Sequence, residues 1–173
     1  MVSANSSMQG VTVTPRFVFG VNGQVNNCLF MHEEKKLVYI AGHNIIVYDM
    51  DEGTQQFIPG SANADEINHI TLSPSGRFIA YCERAKPRAQ VTVYEIAQRK
   101  KRKTLPEPEM DNLQFKCNEF LGSAFSPTNE KQHLVTLSGE GDWCVILWQW
   151  EAFKMLAKID LNVAPEPMET KLF

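Results

Sequence analysis

The stretch ITLSPSGRFIAYCE, residues 70–83, places a short polar turn between two apolar runs. Pro74 holds its φ near the value that a turn requires, and Gly76 tolerates a positive φ. The chain is therefore expected to reverse direction between the two runs. Each run has the β-branched and aromatic composition of a strand, so the stretch predicts an antiparallel strand pair.

The second run is apolar on both faces. Phe78, Ala80 and Cys82 point one way in an extended chain, and Ile79 and Tyr81 point the other way. A strand of an exposed antiparallel sheet would instead alternate apolar and polar residues. We therefore expect other sheets to pack on this sheet from both sides.

The same unit recurs on either side of this stretch. Downstream, residues 122–150 repeat the order of strand, Ser-Pro turn, strand, loop and strand, with Ser126-Pro127 matching Ser73-Pro74. Upstream, residues 27–50 keep the order, but Met31-His32 stands in place of Ser-Pro. Self-similarity at a few tens of residues is typical of repeat folds.

Each copy continues with two more predicted strands. The third strand ends in an aromatic residue followed by a polar one, and the three aromatics are Tyr48, Tyr94 and Trp148, separated by 46 and 54 residues. The fourth strands are TQQFIPG, RKKRKTL and KMLAKID, which end at residues 60, 105 and 160. A repeat of four strands at about this spacing predicts propeller blades.

At these residues the chain resembles the WD-repeat propeller family. Tyr48-Asp49, Tyr94-Glu95 and Trp148-Gln149 occupy the position of the Trp-Asp pair that names the family, although none of them keeps both residues. Asp142 suits the aspartate of the family's hydrogen-bonded tetrad, and no blade begins with a clear Gly-His pair.

A narrower resemblance covers residues 17–160. The words VFGVNGQVNNCLF, GHNIIVYD, TQQFIPGS, LSPSGRFIAYCE and RKKRKTL resemble, in that order, the N-terminal part of the cilia- and flagella-associated WD-repeat proteins. This resemblance implies a cytoplasmic protein of the motile axoneme that helps to place dynein-arm or regulatory complexes on doublet microtubules. The implied partners are tubulin, dynein-arm or radial-spoke-associated complexes, and further blades of a longer chain. A general cytosolic or nuclear WD-repeat adaptor is the alternative.

The predicted fold is all-β, with about three antiparallel four-stranded blades of an incomplete ring. The predicted segments are a flexible N-terminus at 1–10, a closing strand at 11–20, blades at 24–60, 66–106 and 115–160, and a tail at 161–173, with 11–173 forming the partial propeller. Propellers have 4–8 blades, so three blades leave a ring open. We expect these three blades to leave an apolar face near Trp148 without a neighbouring blade. Further blades or another polypeptide would cover that face.

Five consecutive cations, Arg99, Lys100, Lys101, Arg102 and Lys103, form the predicted outer strand of the second blade. Charge on an exposed edge strand discourages unwanted pairing, so a solvated strand is one interpretation. The others are a nuclear localisation signal, a nucleic-acid contact, or a site for an acidic protein surface such as that of tubulin. We take these five residues as the candidate partner-binding site.

Composition and motifs argue against other classes of function. A net charge of −3 provides no global attraction for nucleic acid, and no apolar run has the length of a membrane span. Gly-x-Ser-x-Gly and phosphate-loop motifs are absent, and the four cysteines, Cys28, Cys82, Cys117 and Cys144, lack zinc-site spacing. We expect buried free thiols, no enzyme activity, no cofactor, no metal and no small-molecule substrate.

Overall fold

The computed structural model describes residues 15–106 and 116–161, and these residues form three four-stranded antiparallel sheets. The first blade contains β1 Leu29–His32, β2 Lys36–Ala41, β3 Asn44–Asp49 and β4 Thr54–Pro59. The second contains β5 Ala64–Leu72, β6 Phe78–Ala85, β7 Gln90–Glu95 and β8 Lys100–Leu105. The third contains β9 Phe120–Phe125, β10 His133–Ser138, β11 Cys144–Gln149 and β12 Lys154–Asp160, with a 3-10 turn at Trp150–Ala152 between its last two strands.

Strands follow one another in each sheet in chain order, so each blade is an up-and-down meander. The fourth strand, β4, β8 or β12, therefore lies at an edge of its sheet. The described blades do not close a ring. The predicted fold, three antiparallel four-stranded blades of an incomplete propeller, is confirmed.

The Ser-Pro-Ser-Gly turn joins β5 to β6 as its sequence predicts. The backbone N–H of Ser73 donates to the carbonyl of Phe78 at 2.8 Å, and the N–H of Gly76 donates to the carbonyl of Ser73 at 2.8 Å. Gly76 has a φ of +72°, a conformation that suits a residue without a Cβ. His32 from the first blade packs against this glycine and fills the space that a side chain would need.

The second blade is packed on both faces, as the two-sided apolar pattern of β6 predicts. Ile79 and Tyr81 belong to a core shared with the first blade, and Phe78, Ala80 and Cys82 belong to a core shared with the third. Burial of apolar area contributes about 25 cal/mol per Å². Both inter-blade cores therefore stabilise the stack of blades.

The uncovered face of the third blade is not the one near Trp148. Trp148 and Trp150 are fully buried against the second blade, whereas Val145 and Leu147 lie on the opposite face of β11 and are only partly buried. The expectation of an exposed face at Trp148 is wrong because alternate residues of a strand point to opposite sides.

The ends of the predicted propeller are only partly described. The flexible N-terminus at 1–10 and all but the first residue of the tail at 161–173 lie outside the described residues. Of the predicted closing strand, residues 15–20 are described and form no ladder with another strand. The Val18 backbone instead exchanges two hydrogen bonds with the side chain of Gln55, at 2.8 and 3.1 Å. The closing strand and the domain boundaries stay predictions.

Three of the four cysteines are buried free thiols, and Cys28 is corrected to partly buried. Burial raises the pKa of Cys82 to about 12 and that of Cys117 to about 12, so both stay as neutral thiols at physiological pH. Cys28 packs at the margin of the core between the first two blades, where the chain enters β1. Its position at an element's start explains its greater exposure.

Candidate functional site

The five predicted cations lie at the outer edge of the second blade. Lys100 to Lys103 belong to β8, whose only described partner strand is β7. Arg99 precedes the strand in a turn and has a positive φ of 52°. The polypeptide thus presents this basic segment on the periphery of the stack, as an outermost blade strand.

Two of the five cations contact residues of the third blade. Arg102 lies 3.4 Å from the buried carboxylate of Glu95 and 4.0 Å from Glu151 in the 3-10 turn of the third blade. The Lys103 ammonium lies 3.8 Å from the centre of the Phe153 ring, a cation–π geometry. These contacts give Arg102 and Lys103 a structural role.

Lys100 and Lys101 remain exposed to solvent. Lys100 forms no ion pair with the described residues, and the ammonium of Lys101 reaches only the hydroxyl of Ser61, at 3.5 Å. A bond of that length to a neutral group is weak. Both charges therefore remain accessible to a partner.

Arg99 lies at a polar groove of about 550 Å³ between the first and second blades. The groove is also lined by Lys36, Asp49 and Glu52, so its cations and carboxylates are balanced. The excess positive charge of the segment is consequently concentrated on Lys100 and Lys101. The structure thus divides the predicted site into an exposed pair, an interface pair and one residue at a charge-balanced groove.

The three aromatics that define the repeat occupy equivalent positions in their blades but do not form a common site. Tyr48 contacts Phe17 edge-on, with ring centroids 6.2 Å apart. Burial raises the pKa of Tyr94, while a hydrogen bond with Gln56 and the charge of Arg99 oppose that rise. Trp148 is the most deeply buried of the three, and Tyr48 is only partly buried. The structural role of these positions stays a prediction.

Trp148 is tied to the neighbouring strand by its indole. Its Nε1–H donates to the Thr136 hydroxyl at 2.9 Å in a fully buried setting. In the loop before β11, the Asp142 carboxylate accepts hydrogen bonds from the backbone N–H groups of Lys116 and Cys117, at 2.7 and 2.9 Å. Asp142 therefore connects the loop before β11 to the segment that enters the third blade, and its place in the family's tetrad stays a prediction.

Two buried carboxylates of the second blade carry contacts that sequence reasoning missed. Glu83 is 0% exposed and accepts hydrogen bonds from the backbone and hydroxyl of Ser61 and from the Gln90 amide. Glu95 receives the Arg77 guanidinium at 2.7 Å. The apolar run FIAYCE ends in Glu83. A carboxylate in such a run predicts hydrogen-bond partners for it, since a buried charge requires partners.

The described residues contain neither a cluster of three or more His, Cys, Asp or Glu able to hold a metal ion nor a helix long and apolar enough to cross a membrane.

Comparison with known proteins identifies curated relatives. The chain is 29% identical over 163 residues to cilia- and flagella-associated protein 57 of Mus musculus, covering 93% of this chain and 12% of the relative. It is also 29% identical over 150 residues to cilia- and flagella-associated protein 57 C of Tetrahymena thermophila, covering 85% of this chain and 11% of the relative. The chain thus spans about an eighth of the length of these relatives. No family model matches it.

Solved structures agree on the architecture. A chain of the mitotic checkpoint complex superposes with a TM-score of 0.58 at 12% identity, covering 75% of this chain and 36% of that one. The Cps50 (Swd1) β-propeller domain of Myceliophteria thermophila superposes with a TM-score of 0.57 at 12% identity, covering 89% and 43%. The blades and the repeat give the chain a β-propeller fold, and nearly the whole chain is similar to cilia- and flagella-associated protein 57.

Proposed function

We propose that the chain is part of a non-catalytic protein-interaction scaffold of the motile cilium or flagellum. The observation that carries this proposal is the similarity of nearly the whole chain to cilia- and flagella-associated protein 57. Its place is the axoneme, where it helps to position dynein-arm, radial-spoke-associated or other regulatory complexes on doublet microtubules. Propeller blades suit such a role because they present several edges and loops to different partners.

The proposed contact with the axoneme is the exposed lysine pair, Lys100 and Lys101. Their charges lie on an outer edge strand, while the neighbouring Arg102 and Lys103 are engaged with the third blade. An acidic protein surface, such as that of tubulin, complements this pair. Attraction between complementary charges raises the rate of association, and added salt weakens that attraction.

Replacing the pair with glutamine, as Lys100→Gln with Lys101→Gln, is expected to weaken binding to polymerised tubulin about fivefold. The physical reason is the loss of two exposed charge contacts of roughly 0.5 kcal/mol each. Co-sedimentation with microtubules over a series of salt concentrations measures the effect. The wild-type chain should lose affinity with salt more steeply than the variant.

A variant with Arg102→Gln and Lys103→Gln is the matched control, because it also removes two positive charges from β8. It should retain more microtubule affinity than the lysine-pair variant but unfold at a lower temperature, since its contacts with Glu95, Glu151 and Phe153 are lost. Equal affinities for the two variants would contradict the assignment of the contact to Lys100 and Lys101.

A further inference from the structure

The second and third blades leave their third strands through turns that are built alike. The backbone N–H of Ile96 donates to the carbonyl of Arg77 at 3.1 Å in the second blade. In the third blade, the N–H of Trp150 donates to the carbonyl of Gln132 at 2.9 Å. Ile96 and Trp150 therefore occupy equivalent positions, and each packs against the blade that precedes its own in the chain.

Aromatic rings close the interface between the second and third blades near these turns. The Trp150 indole is 0% exposed and stands edge-on to the ring of Phe78, with centroids 5.4 Å apart. Its Nε1–H donates to the carbonyl of Glu130 in the turn between β9 and β10, at 2.9 Å. Phe125 adds a third ring, whose centroid lies 6.3 Å from that of Phe78.

The interface between the first and second blades has smaller or charged side chains at the same three positions. Strand register identifies them, because each occupies the same rung of its sheet as its aromatic counterpart. The counterparts of Phe78, Phe125 and Trp150 are Lys36, Leu72 and Ile96. None of the three has the volume of an aromatic ring in a packed core.

A cavity of about 220 Å³ lies between the first and second blades at this point and opens to solvent. One wall contains the turn between β1 and β2 with Lys36, and the other contains the turn between β5 and β6 with Ile96 and Ala97. Both walls belong to described blades, so the cavity does not depend on where the chain ends. Since a cavity of about 150 Å³ admits a benzene ring, this one has room for an aromatic side chain.

The charges of the cavity wall favour a neutral aromatic group over an anion. Lys36 pairs with Glu33 at 2.7 Å, and Arg77 pairs with Glu95 at 2.7 Å. Burial lowers the pKa of His32, so its imidazole adds no charge at physiological pH. Both cations keep their attraction for the face of an aromatic ring, whereas their carboxylate partners repel an anion.

We propose that this cavity binds the side chain of a tryptophan in an extended segment of a partner protein. The indole takes the place at the first interface that Trp150 takes at the second. The turn between β5 and β6, which lines the cavity, corresponds to the turn whose Glu130 carbonyl accepts the Trp150 N–H. The polar groove at Arg99 shares Lys36, Ile96 and Ala97 with the cavity, so it has room for the backbone that flanks the tryptophan.

The test is an NMR titration of the ¹⁵N-labelled 173-residue chain with the acetylated and amidated tetrapeptide QWEA, the sequence of residues 149–152. We expect saturable shifts at the backbone amides of Gly76, Arg77, Ile96 and Ala97, which line the cavity. A peptide with alanine in place of the tryptophan should bind about tenfold more weakly or not at all, since it buries no aromatic side chain. The chain and the peptide are both defined, so the result is independent of the axonemal role.

Ile96→Trp fills the cavity from within, because it introduces the residue that the third blade has at this position. It should weaken binding of the tryptophan peptide about tenfold or more. Met50→Trp is the matched control. Met50 occupies the equivalent position of the first blade, where its N–H donates to the Lys35 carbonyl at 2.9 Å, and it does not line the cavity. This variant should bind the peptide as the wild-type chain does.

A second pair of variants tests the proposal even if Ile96→Trp does not fold. Lys36→Gln removes a cation from the cavity wall and should weaken binding about threefold. Lys35→Gln removes a cation of the same turn that does not line the cavity, and it should have no effect. The proposal would be overturned by equal affinity for the two peptides, by no saturable binding to the wild-type chain, or by undiminished binding to Lys36→Gln or to a folded Ile96→Trp.

Discussion

Replacing Trp148 with alanine is expected to lower the free energy of unfolding by about 4 kcal/mol. The indole is 0% exposed and packs in the core between the second and third blades. Its removal loses transfer free energy, leaves a cavity and deprives the buried Thr136 hydroxyl of its donor; large-to-small changes of this type cost about 3–5 kcal/mol. Urea denaturation followed by circular dichroism measures the loss.

Two further variants separate packing from hydrogen bonding at this position. Trp148→Phe keeps an aromatic ring but removes the Nε1–H, and we expect a loss of about 1–2 kcal/mol. Tyr48→Ala changes the equivalent position of the first blade, where the side chain is only half-buried, and should cost about 1 kcal/mol. A Trp148→Ala loss no larger than that of Tyr48→Ala would contradict the assigned core role.

Replacing Glu83 with alanine is expected to cost about 3 kcal/mol. Its buried carboxylate accepts from the Ser61 hydroxyl at 2.9 Å and the Gln90 amide at 2.8 Å, as well as from the Ser61 backbone. Alanine leaves these donors without their acceptor, and hydrogen bonds to charged groups contribute about 1.5–3 kcal/mol each. Ser61 lies between β4 and β5, so the change also loosens the link between the first and second blades.

Glu66→Ala is the matched control for this prediction. Glu66 is on β5 of the same blade, but its carboxylate is exposed and pairs with the exposed Arg84. A surface pair of this kind contributes about 0–1 kcal/mol. Similar denaturation midpoints for the Glu83 and Glu66 variants would show that Glu83 does not anchor the link.

The repeat and the blade were predictable because local sequence determines them. Pro74 and Gly76 specify the reversal between β5 and β6, and the two-sided apolar pattern of Phe78 to Cys82 specifies a sheet covered on both faces. The observed ends of the third strands, Asp49, Glu95 and Gln149, match the predicted ones. Turn residues and the alternation of side chains along a strand act over a few residues, so they can be recognised in the sequence without knowledge of the fold.

The contacts between blades were not predictable, because they depend on how two distant segments meet. The sequence shows residues 99–103 as one charged run. In the structure, however, Lys103 lies over the ring of Phe153 and Arg102 lies beside Glu151. The partners of these cations follow them by some fifty residues in sequence, and no local pattern relates the two segments. The same limit misplaced the uncovered face at Trp148, since the choice between the two faces of β11 is made by the second blade.

Retention of the protein in isolated cilia is the most direct test of the scaffold role that we propose for it in the motile axoneme. An antibody to residues 11–60 would be used to blot motile cilia before and after detergent and high-salt extraction. We expect the protein to be present in cilia and to stay with the axonemal pellet after extraction. Absence from cilia, or full release into the soluble fraction, would contradict the axonemal role and favour an adaptor outside cilia.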